Sequence, residues 1–196
     1  MIKAVIFDIG GVIVKFSNAD YYKYISRVCK IGEPEVRRVI ERRALDLFES
    51  GKMTSVEFER FISKNFGIHR NMVQWYNFYK NKVKINPDVV ELIKELHETY
   101  ITAYITNIDR GRYNYTLDIL DRDDFDFRFA SCYMGIRKPN IGIYKKALKE
   151  MHIKPEEAVF IDNMQENVIG ARKAGMHGVL FESRRMLDIS LSKLEL

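Results

Sequence analysis

Short runs of apolar residues recur along the chain, at positions 4–7, 101–105, 158–161 and 177–181. They are rich in β-branched or aromatic side chains and lack the strict polar alternation of a half-exposed strand. Such runs are typical of strands that are buried on both faces of a parallel sheet. The pattern therefore predicts buried parallel strands at these positions.

Helical patterns separate the strands in the C-terminal half. Apolar residues recur at helical spacing over 87–96, 141–151 and 167–174, with Pro87 at the start of the first segment and Gly175 after the last. An alternation of strands and helices implies right-handed crossover connections. We therefore expect an α/β fold, with a Rossmann-like doubly wound parallel sheet.

The stretch between the first strand and residue 84 breaks this alternation. It shows no strand pattern, and amphipathic helices are predicted over 21–29, 33–48, 55–65 and 71–79. An all-helical block inserted after the first strand is expected to form a separate unit above the sheet. We expect a core domain of residues 1–16 and 85–196, and a helical cap domain of residues 17–84.

Composition narrows the class of protein. The 196 residues are 46% apolar with a net charge of +5, and the apolar runs are far too short for a membrane span. Two cysteines in unrelated positions favour neither a disulfide framework nor a zinc site. Basic clusters at 37–43 and 80–84 are interleaved with apolar residues, as on solvated helix faces. We expect a cytoplasmic monomer or homodimer, with neither nucleic acid nor membrane as its partner.

Polar residues close three of the apolar runs. Asp8, Thr106 and Asp162 each follow a predicted strand directly. In an open parallel sheet, ligands bind beyond the carboxyl ends of the strands, near the switch in strand order. The three residues are therefore expected to share one site.

Neighbouring residues supply groups that suit a phosphoryl ligand. Gly10 and Gly11 allow a sharp turn whose amide N–H groups point into the pocket. Thr106 and Asn107 add a hydroxyl and an amide, and Lys138 adds a positive charge just before a helix. This set predicts a carboxylate beside donors that hold phosphoryl oxygens.

Hard oxygen ligands cluster after the third strand. Asp162 is followed by Asn163 and, four residues later, by Asn167. Carboxylate and amide oxygens suit Mg²⁺, and a cation there would offset the repulsion between Asp8 and a phosphate group. We therefore expect Mg²⁺ as the cofactor and a small phosphorylated molecule as the substrate.

At these segments the chain resembles the haloacid dehalogenase-like hydrolase superfamily, in its phosphatase branch with a helical cap of the C1 type. The motifs lie in the order and spacing of that family, over nearly the whole chain. They occupy residues 6–13, 105–107, 135–139 and 160–171, with a similar cap turn at 48–54.

The resemblance implies a role for each matching residue. Asp8 corresponds to the nucleophile that becomes an aspartyl-phosphate. Thr106 corresponds to the residue whose hydroxyl contacts the transferring phosphoryl group, and Lys138 to the cation that binds both the nucleophile and the phosphate. Asn107, Gly10 and Gly11 complete the implied substrate contacts. The implied metal ligands are Asp8, the carbonyl oxygen of Gly10, Asp162 and Asn163.

Gly10 is the main departure from the family pattern. Efficient phosphatases of the family have a second aspartate at this position, which protonates the leaving group and then activates water. A positioned acid–base contributes roughly 10²–10⁴-fold, so both steps are expected to be slow here. Sugar-phosphate phosphatase-like members share the glycine and are the closest in pattern. Whether Asp109 or Glu49 replaces the aspartate stays open.

The sequence thus predicts a Mg²⁺-dependent phosphatase of small phosphorylated metabolites, with sugar phosphates among the candidates. The alternatives are a non-enzymatic binding protein, which Gly10 and Asn163 favour, a metal-independent 2-haloacid dehalogenase, and a phosphotransferase. Recognition of the substrate is expected from cap residues. These include Asn18, Tyr21, Tyr22 and Glu49.

Overall fold

A five-stranded parallel sheet forms the centre of the molecule. The computed structural model describes residues 1–196, with every side chain except that of Arg70. The strand order is β5-β4-β1-β6-β7. The strands are β1 (Ala4–Phe7), β4 (Ile101–Thr106), β5 (Phe127–Ala130), β6 (Ala158–Asp162) and β7 (His177–Leu180). The predicted α/β class and doubly wound sheet are confirmed.

Helices connect the strands and cover both faces of the sheet. They are α6 (Pro87–His97), α7 (Arg110–Ile119), α8 (Ser131–Met134), α9 (Ile141–Met151), α10 (Gln165–Lys173) and α11 (Arg184–Ser192). Side chains of β1 alternate between two cores, Val5 and Phe7 on one face and Ala4 and Ile6 on the other. Burial on both faces explains why the sequence of β1 is uninterrupted by polar residues.

A helical insertion separates β1 from the rest of the sheet. It lies between β2 (Val14–Lys15) and β3 (Lys84–Ile85), which pair with each other in antiparallel register. Its helices are α1 (Asn18–Cys29), α2 (Glu33–Ile40), α3 (Asp46–Glu49), α4 (Ser55–Phe66) and α5 (Trp75–Lys82). The chain therefore leaves the core and returns to it through one small two-stranded ribbon.

Four local predictions need correction. Strand β7, predicted to be buried, lies at an edge of the sheet, where only Val179 is buried. The helix predicted over 71–79 spans Trp75–Lys82.

The helix predicted over 33–48 is interrupted by a π-helical turn at Glu41–Leu45. Strand β5, which the apolar runs did not indicate, lies at the edge of the sheet, where Arg128 is exposed. Among the described residues, no helix is both long and apolar enough to cross a membrane.

Candidate active site

The topology of the sheet brings distant residues together. Strand β1 lies between β4 and β6 and is parallel to both. Thr106 and Asp162 are the last residues of β4 and β6, and Asp8 follows β1 directly. The carboxyl ends of these three strands therefore meet at the point where the strand order reverses, which is where ligands bind in such sheets.

Lys138 joins two of these strand ends. Its Nζ donates to Asp8 Oδ1 and to Asp162 Oδ2, each at 2.7 Å, and the residue is only 1% exposed. Burial alone lowers the pKa of Lys138, but the carboxylates of Asp162 and Asp8 raise it above its ordinary value. The ammonium group is therefore a fixed cation between two buried carboxyl groups.

The pKa of the Asp8 carboxyl group is shifted strongly from its ordinary value. Burial and, to a smaller extent, the neighbouring charge of Asp162 outweigh the lowering effect of Lys138, so that the pKa of Asp8 is raised to about 7. The residue is 6% exposed. Desolvation makes the charged form costly, so a cation bound beside Asp8 would favour the carboxylate.

Asn107 holds the segment that carries Lys138. Its Nδ2 donates to the carbonyl oxygen of Lys138 at 2.9 Å, and its Oδ1 accepts from the amide N–H of Lys138 at 2.8 Å. Asn107 also lines the cavity described below. These two bonds position the segment that carries Lys138, and the second N–H of Asn107 Nδ2 is left for the substrate contact that the resemblance implies, which stays a prediction.

The two glycines after Asp8 play different parts. Gly11 has a φ of +88°, and its amide N–H donates to the carbonyl oxygen of Val14 at 2.7 Å. A Cβ at Gly11 would lie 2.3 Å from Asn163 Nδ2, so the turn requires glycine. Gly10 lines the cavity, whereas Gly11 is outside its wall. The expected contact of Gly11 with a phosphoryl group is therefore not supported, because its N–H closes the turn.

The end of β6 presents oxygen atoms beside Asp8. Asp162 is fully buried, and its Oδ1 accepts from the amide N–H of Met164 at 2.7 Å. Asn167 Nδ2 donates to both carboxylate oxygens of Asp162, at 3.1 and 3.0 Å. The Oδ1 atoms of Asn163 and Asn167 are buried without a hydrogen-bond partner in the described part of the molecule.

This donor set fits Mg²⁺. Within the described residues, three or more His, Cys, Asp or Glu side chains do not cluster as a metal site. Mg²⁺ is commonly bound through one or two carboxylates, other oxygens and water, and needs no such cluster. Two carboxylates and two orphaned amide oxygens match that requirement, since burial of an unpaired carbonyl oxygen is otherwise costly.

A cavity of about 570 Å³ opens above these strand ends. The core contributes Asp8, Gly10, Thr106, Asn107, Arg137, Lys138, Asn163 and Asn167 to its wall. The helical insertion contributes Phe16, Asn18, Tyr22, Arg37, Leu45 and Glu49, among others. The site is therefore enclosed by both parts of the chain.

The insertion residues differ from expectation at two positions. Asn18, Tyr22 and Glu49 line the cavity as predicted, whereas Tyr21 is buried elsewhere and donates to the carbonyl oxygen of Val73 at 3.1 Å. Arg37, which was expected on a solvated face, also lines the cavity, with its guanidinium carbon 5.5 Å from the centre of the Tyr22 ring.

Two arginines that sequence reasoning missed hold Glu49. Arg112 Nη2 donates to Glu49 Oε1 at 3.1 Å, and Arg137 Nη2 lies 2.8 Å from Glu49 Oε2. Asn18 Nδ2 also donates to Glu49 Oε1, at 3.1 Å. The one feature of the sequence that could have indicated a role for Arg112 is its position three residues after Asp109, a spacing that allows an ion pair on a helix.

Asp109 has a structural role, because both of its carboxylate oxygens are held by neighbouring groups. It caps α7 by accepting from the amide N–H of Gly111 at 3.0 Å, and it pairs with Arg112. Trp75 Nε1 donates to its other oxygen at 3.0 Å. Asp109 lies outside the cavity wall, so of the two acids considered as a replacement at Gly10, only Glu49 reaches the cavity.

Comparison with known proteins gives a consistent result. The family model for haloacid dehalogenase-like hydrolases matches residues 2–175. The sesquiterpene phosphatase AstK of Aspergillus oryzae is 26% identical over 181 residues, which cover 90% of this chain and 88% of that protein. Several other curated relatives match over part of their length only, and the chain spans 44% or less of each.

Solved structures show the same fold. A HAD-like family hydrolase from Porphyromonas gingivalis superposes with a TM-score of 0.80 at 24% identity, covering 99% of this chain and 98% of that one. The HAD family enzyme BT-2542 of Bacteroides thetaiotaomicron, in complex with magnesium and inorganic phosphate, has a TM-score of 0.77 at 19% identity, with 93% and 95% coverage. Solved dehalogenases give TM-scores of 0.59 to 0.66.

Proposed function

The chain belongs to the haloacid dehalogenase-like hydrolases, and from that premise we propose that it is a Mg²⁺-dependent phosphatase of small phosphorylated metabolites. The observation that carries the proposal is the placement of Lys138 between Asp8 and Asp162 at the base of an enclosed cavity. A phosphatase among the relatives and a magnesium and phosphate complex among the structural neighbours support it.

Asp8 is the proposed nucleophile. Its carboxylate attacks the phosphorus of a bound phosphomonoester, the bond from phosphorus to the leaving oxygen breaks, and that oxygen takes a proton from water. Water then attacks the aspartyl-phosphate, loses a proton to solvent and releases inorganic phosphate, which regenerates Asp8. Thr106 donates its hydroxyl to a phosphoryl oxygen, and Lys138 keeps Asp8 oriented and balances negative charge.

Asp8, Asp162, Asn163 and the carbonyl oxygen of Gly10 are the residues that we expect to hold Mg²⁺, with Asn167 beside them. When bound, the cation neutralises charge on the phosphoryl group and on Asp8. Asn167 fixes the orientation of Asp162 through its two hydrogen bonds.

We further propose that residues 17–84 act as a cap domain on a core of residues 1–16 and 85–196. Tyr22 and Glu49 bring this segment to the cavity opposite Asp8. Exclusion of water by such a cap strengthens the electrostatic interactions in the site and shields the aspartyl-phosphate from uncontrolled reactions.

The first test is hydrolysis of p-nitrophenyl phosphate with and without Mg²⁺. We expect activity that requires Mg²⁺ and falls by at least about 10³-fold in Asp8→Asn, because the amide is a poor nucleophile. Asp118→Asn, which changes an exposed aspartate on α7, is the matched control and should retain the activity of the parent protein.

Other outcomes select the alternatives. Chloride release from 2-chloropropionate without a metal would identify a dehalogenase. Such a reaction would not explain the unpaired oxygens of Asn163 and Asn167, because it needs no metal for them to bind. Binding of inorganic phosphate with no turnover of any phosphomonoester would identify a binding protein, as the absence of an acid at Gly10 allows.

A further inference from the structure

The unpartnered polar atoms of the protein concentrate in one place. Four buried side-chain atoms lack any polar partner within the described part of the chain, and a fifth, Glu49 Oε2, has only its ion pair with Arg137 Nη2 at 2.8 Å. All five belong to residues that line the cavity. The four are Tyr22 Oη, Arg137 Nε, Asn163 Oδ1 and Asn167 Oδ1. Buried polar atoms in folded proteins are nearly always paired with protein groups or ordered water, so a ligand that enters the cavity can take the place of water on these atoms.

These atoms fall into two sets. The amide oxygens of Asn163 and Asn167 lie beside Asp162 and belong to the proposed Mg²⁺ site. Tyr22, Glu49 and Arg137 form the other set, which we call the polar triad. Tyr22 and Glu49 come from the helical insertion, so the triad faces the part of a substrate that points away from Asp8.

The polar triad offers both donors and an acceptor. Burial, together with the charges of Glu41 and Glu49, raises the pKa of the Tyr22 hydroxyl well above its ordinary value, so it remains a donor. Arg137 Nε is a second donor, and Glu49 Oε2 is a carboxylate acceptor. A hydroxyl group can both donate to Glu49 and accept from Tyr22 or Arg137.

The charges around the triad cancel. Glu49 and Asp109 are paired with Arg112 and Arg137 within one cluster of ion pairs. Arg37 and Glu41, which line the cavity near Tyr22, add one charge of each sign. A second anionic group on the substrate would therefore find no excess positive charge among these six side chains. The cluster therefore favours neutral polar groups over a carboxylate or a second phosphate.

The triad is also held rigidly. Arg112 and Asn18 fix Glu49 Oε1, and Ser131 Oγ donates to the backbone carbonyl oxygen of Glu49 at 2.5 Å. A Cβ at Gly51 would lie 2.2 Å from the carbonyl oxygen of Cys132, so the turn after α3 rests directly on the core. A site fixed in this way selects its ligand by shape and hydrogen bonding without reorganisation.

We propose that the polar triad binds hydroxyl groups of the leaving group, and that the substrates are phosphomonoesters of polyhydroxylated molecules such as polyols and sugars. This inference rests on the proposed phosphatase function and names the substrate class of the same site. It sets the chain apart from AstK, whose name specifies a sesquiterpene substrate.

Matched substrate pairs test the inference. Sorbitol 6-phosphate and hexyl phosphate have the same number of carbon atoms and differ in their hydroxyl groups. Glucose 1-phosphate and cyclohexyl phosphate form a second pair, which differs in its hydroxyl groups and also in the ring. We expect kcat/KM at least about tenfold higher for the hydroxylated member of one or both pairs, since each hydrogen bond to a substrate contributes roughly 3- to 10-fold. Farnesyl phosphate should be the poorest substrate.

The variant Tyr22→Phe separates binding from folding. Its hydroxyl has no partner within the described structure, so its removal should leave Tm unchanged or raise it, as burial of an unpaired polar atom is unfavourable. We expect KM for the preferred hydroxylated substrate to rise about 3- to 10-fold more than KM for hexyl phosphate. Tyr24→Phe is the control for activity, because the Tyr24 hydroxyl donates to the carbonyl oxygen of Met72 and Tyr24 lies outside the cavity wall.

Each outcome is decisive. Equal kcat/KM for both members of each pair, or a preference for farnesyl or hexyl phosphate, would overturn the inference while leaving the phosphatase function intact. Absence of any turnover, including that of p-nitrophenyl phosphate, would overturn the proposed function. In that case the affinities of sorbitol 6-phosphate and hexyl phosphate, measured by calorimetry in the presence of Mg²⁺, decide the inference, and equal affinities would refute it.

Discussion

At the scale of single residues, Gly10 has the largest consequence for chemistry. Its φ lies outside the left-handed region, and a Cβ built on it would make one contact, at 3.7 Å from the carbonyl oxygen of Phe16. The backbone therefore admits a larger residue at this position. Because Gly10 lines the cavity, a carboxyl group placed there would face the substrate.

Gly10→Asp is expected to raise kcat for substrates with poor leaving groups. A positioned acid–base contributes roughly 10²–10⁴-fold, and an introduced group that is not fully oriented should reach the lower part of that range. The measurement is kcat for an alkyl phosphate and for p-nitrophenyl phosphate, whose leaving group needs little protonation. Gly10→Asn controls for size and should give no increase. A lower rate for Gly10→Asp than for Gly10→Asn would show that the site already moves protons by another route.

The residues that could be predicted from the sequence are those marked by local pattern. Asp8, Thr106 and Asp162 stand at the ends of apolar runs, so their convergence follows from the parallel sheet. Arg112 could not be predicted, because its partners Asn18 and Glu49 lie 94 and 63 residues away in sequence. Contacts between the insertion and the core depend on how two surfaces pack, and periodicity in either segment does not encode that packing.

At the scale of elements, Arg112 connects α7 to the helical insertion. Its guanidinium group bonds to Asp109, Glu49 and Asn18, and its central carbon lies 4.5 Å from the Trp75 ring centre. Burial alone lowers the pKa of Arg112, but Asp109 and Glu49 raise it above its ordinary value. The guanidinium therefore stays charged, and it offsets two buried carboxylates.

Arg112→Met should strongly destabilise the protein. Loss of the cation removes the ion-pair partner of buried Asp109 and leaves Glu49 with Arg137 alone, and breaking a buried pair in this way typically costs about 3–5 kcal/mol. Urea unfolding monitored by circular dichroism gives the change in unfolding free energy. Arg38→Met, which breaks an exposed ion pair with Glu35 on α2, is the control and should have little effect. Equal, small effects for both variants would mean that the insertion is held to the core by apolar packing alone.

Helices and strands could be predicted from the sequence where the pattern of apolar residues was clear. Strand β5 was missed because only its second half is buried and Arg128 interrupts its apolar residues. The π-helical turn at Glu41–Leu45 was also missed, since its residues continue a helical pattern and only the register of the backbone hydrogen bonds differs. Edge strands and local helix distortions respond to tertiary packing more than to the sequence of the segment itself.

At the scale of the whole molecule, the cavity exists because two units meet. The base of the cavity consists of strand ends from the sheet. Its roof consists of α1, α2 and α3 with the π-helical turn between α2 and α3. A ligand that spans base and roof therefore contacts both units. Binding in this position favours the closed arrangement over any state in which the two separate.

Mg²⁺ and inorganic phosphate together should stabilise the folded chain. A ligand at 100 times its Kd contributes about 2.7 kcal/mol, which for a chain of this length raises Tm by about 5 to 10 °C. Thermal denaturation with both ligands, compared with sodium chloride at the same ionic strength, measures the shift. Asp162→Asn keeps the shape of the side chain but removes the negative charge of a proposed metal ligand, so its own shift should be much smaller. Exposed Asp118→Asn should match the parent protein. The comparison uses the shift within each variant, because the loss of the ion pair with Lys138 lowers the starting Tm of Asp162→Asn. A full shift in Asp162→Asn would place the cation elsewhere in the molecule.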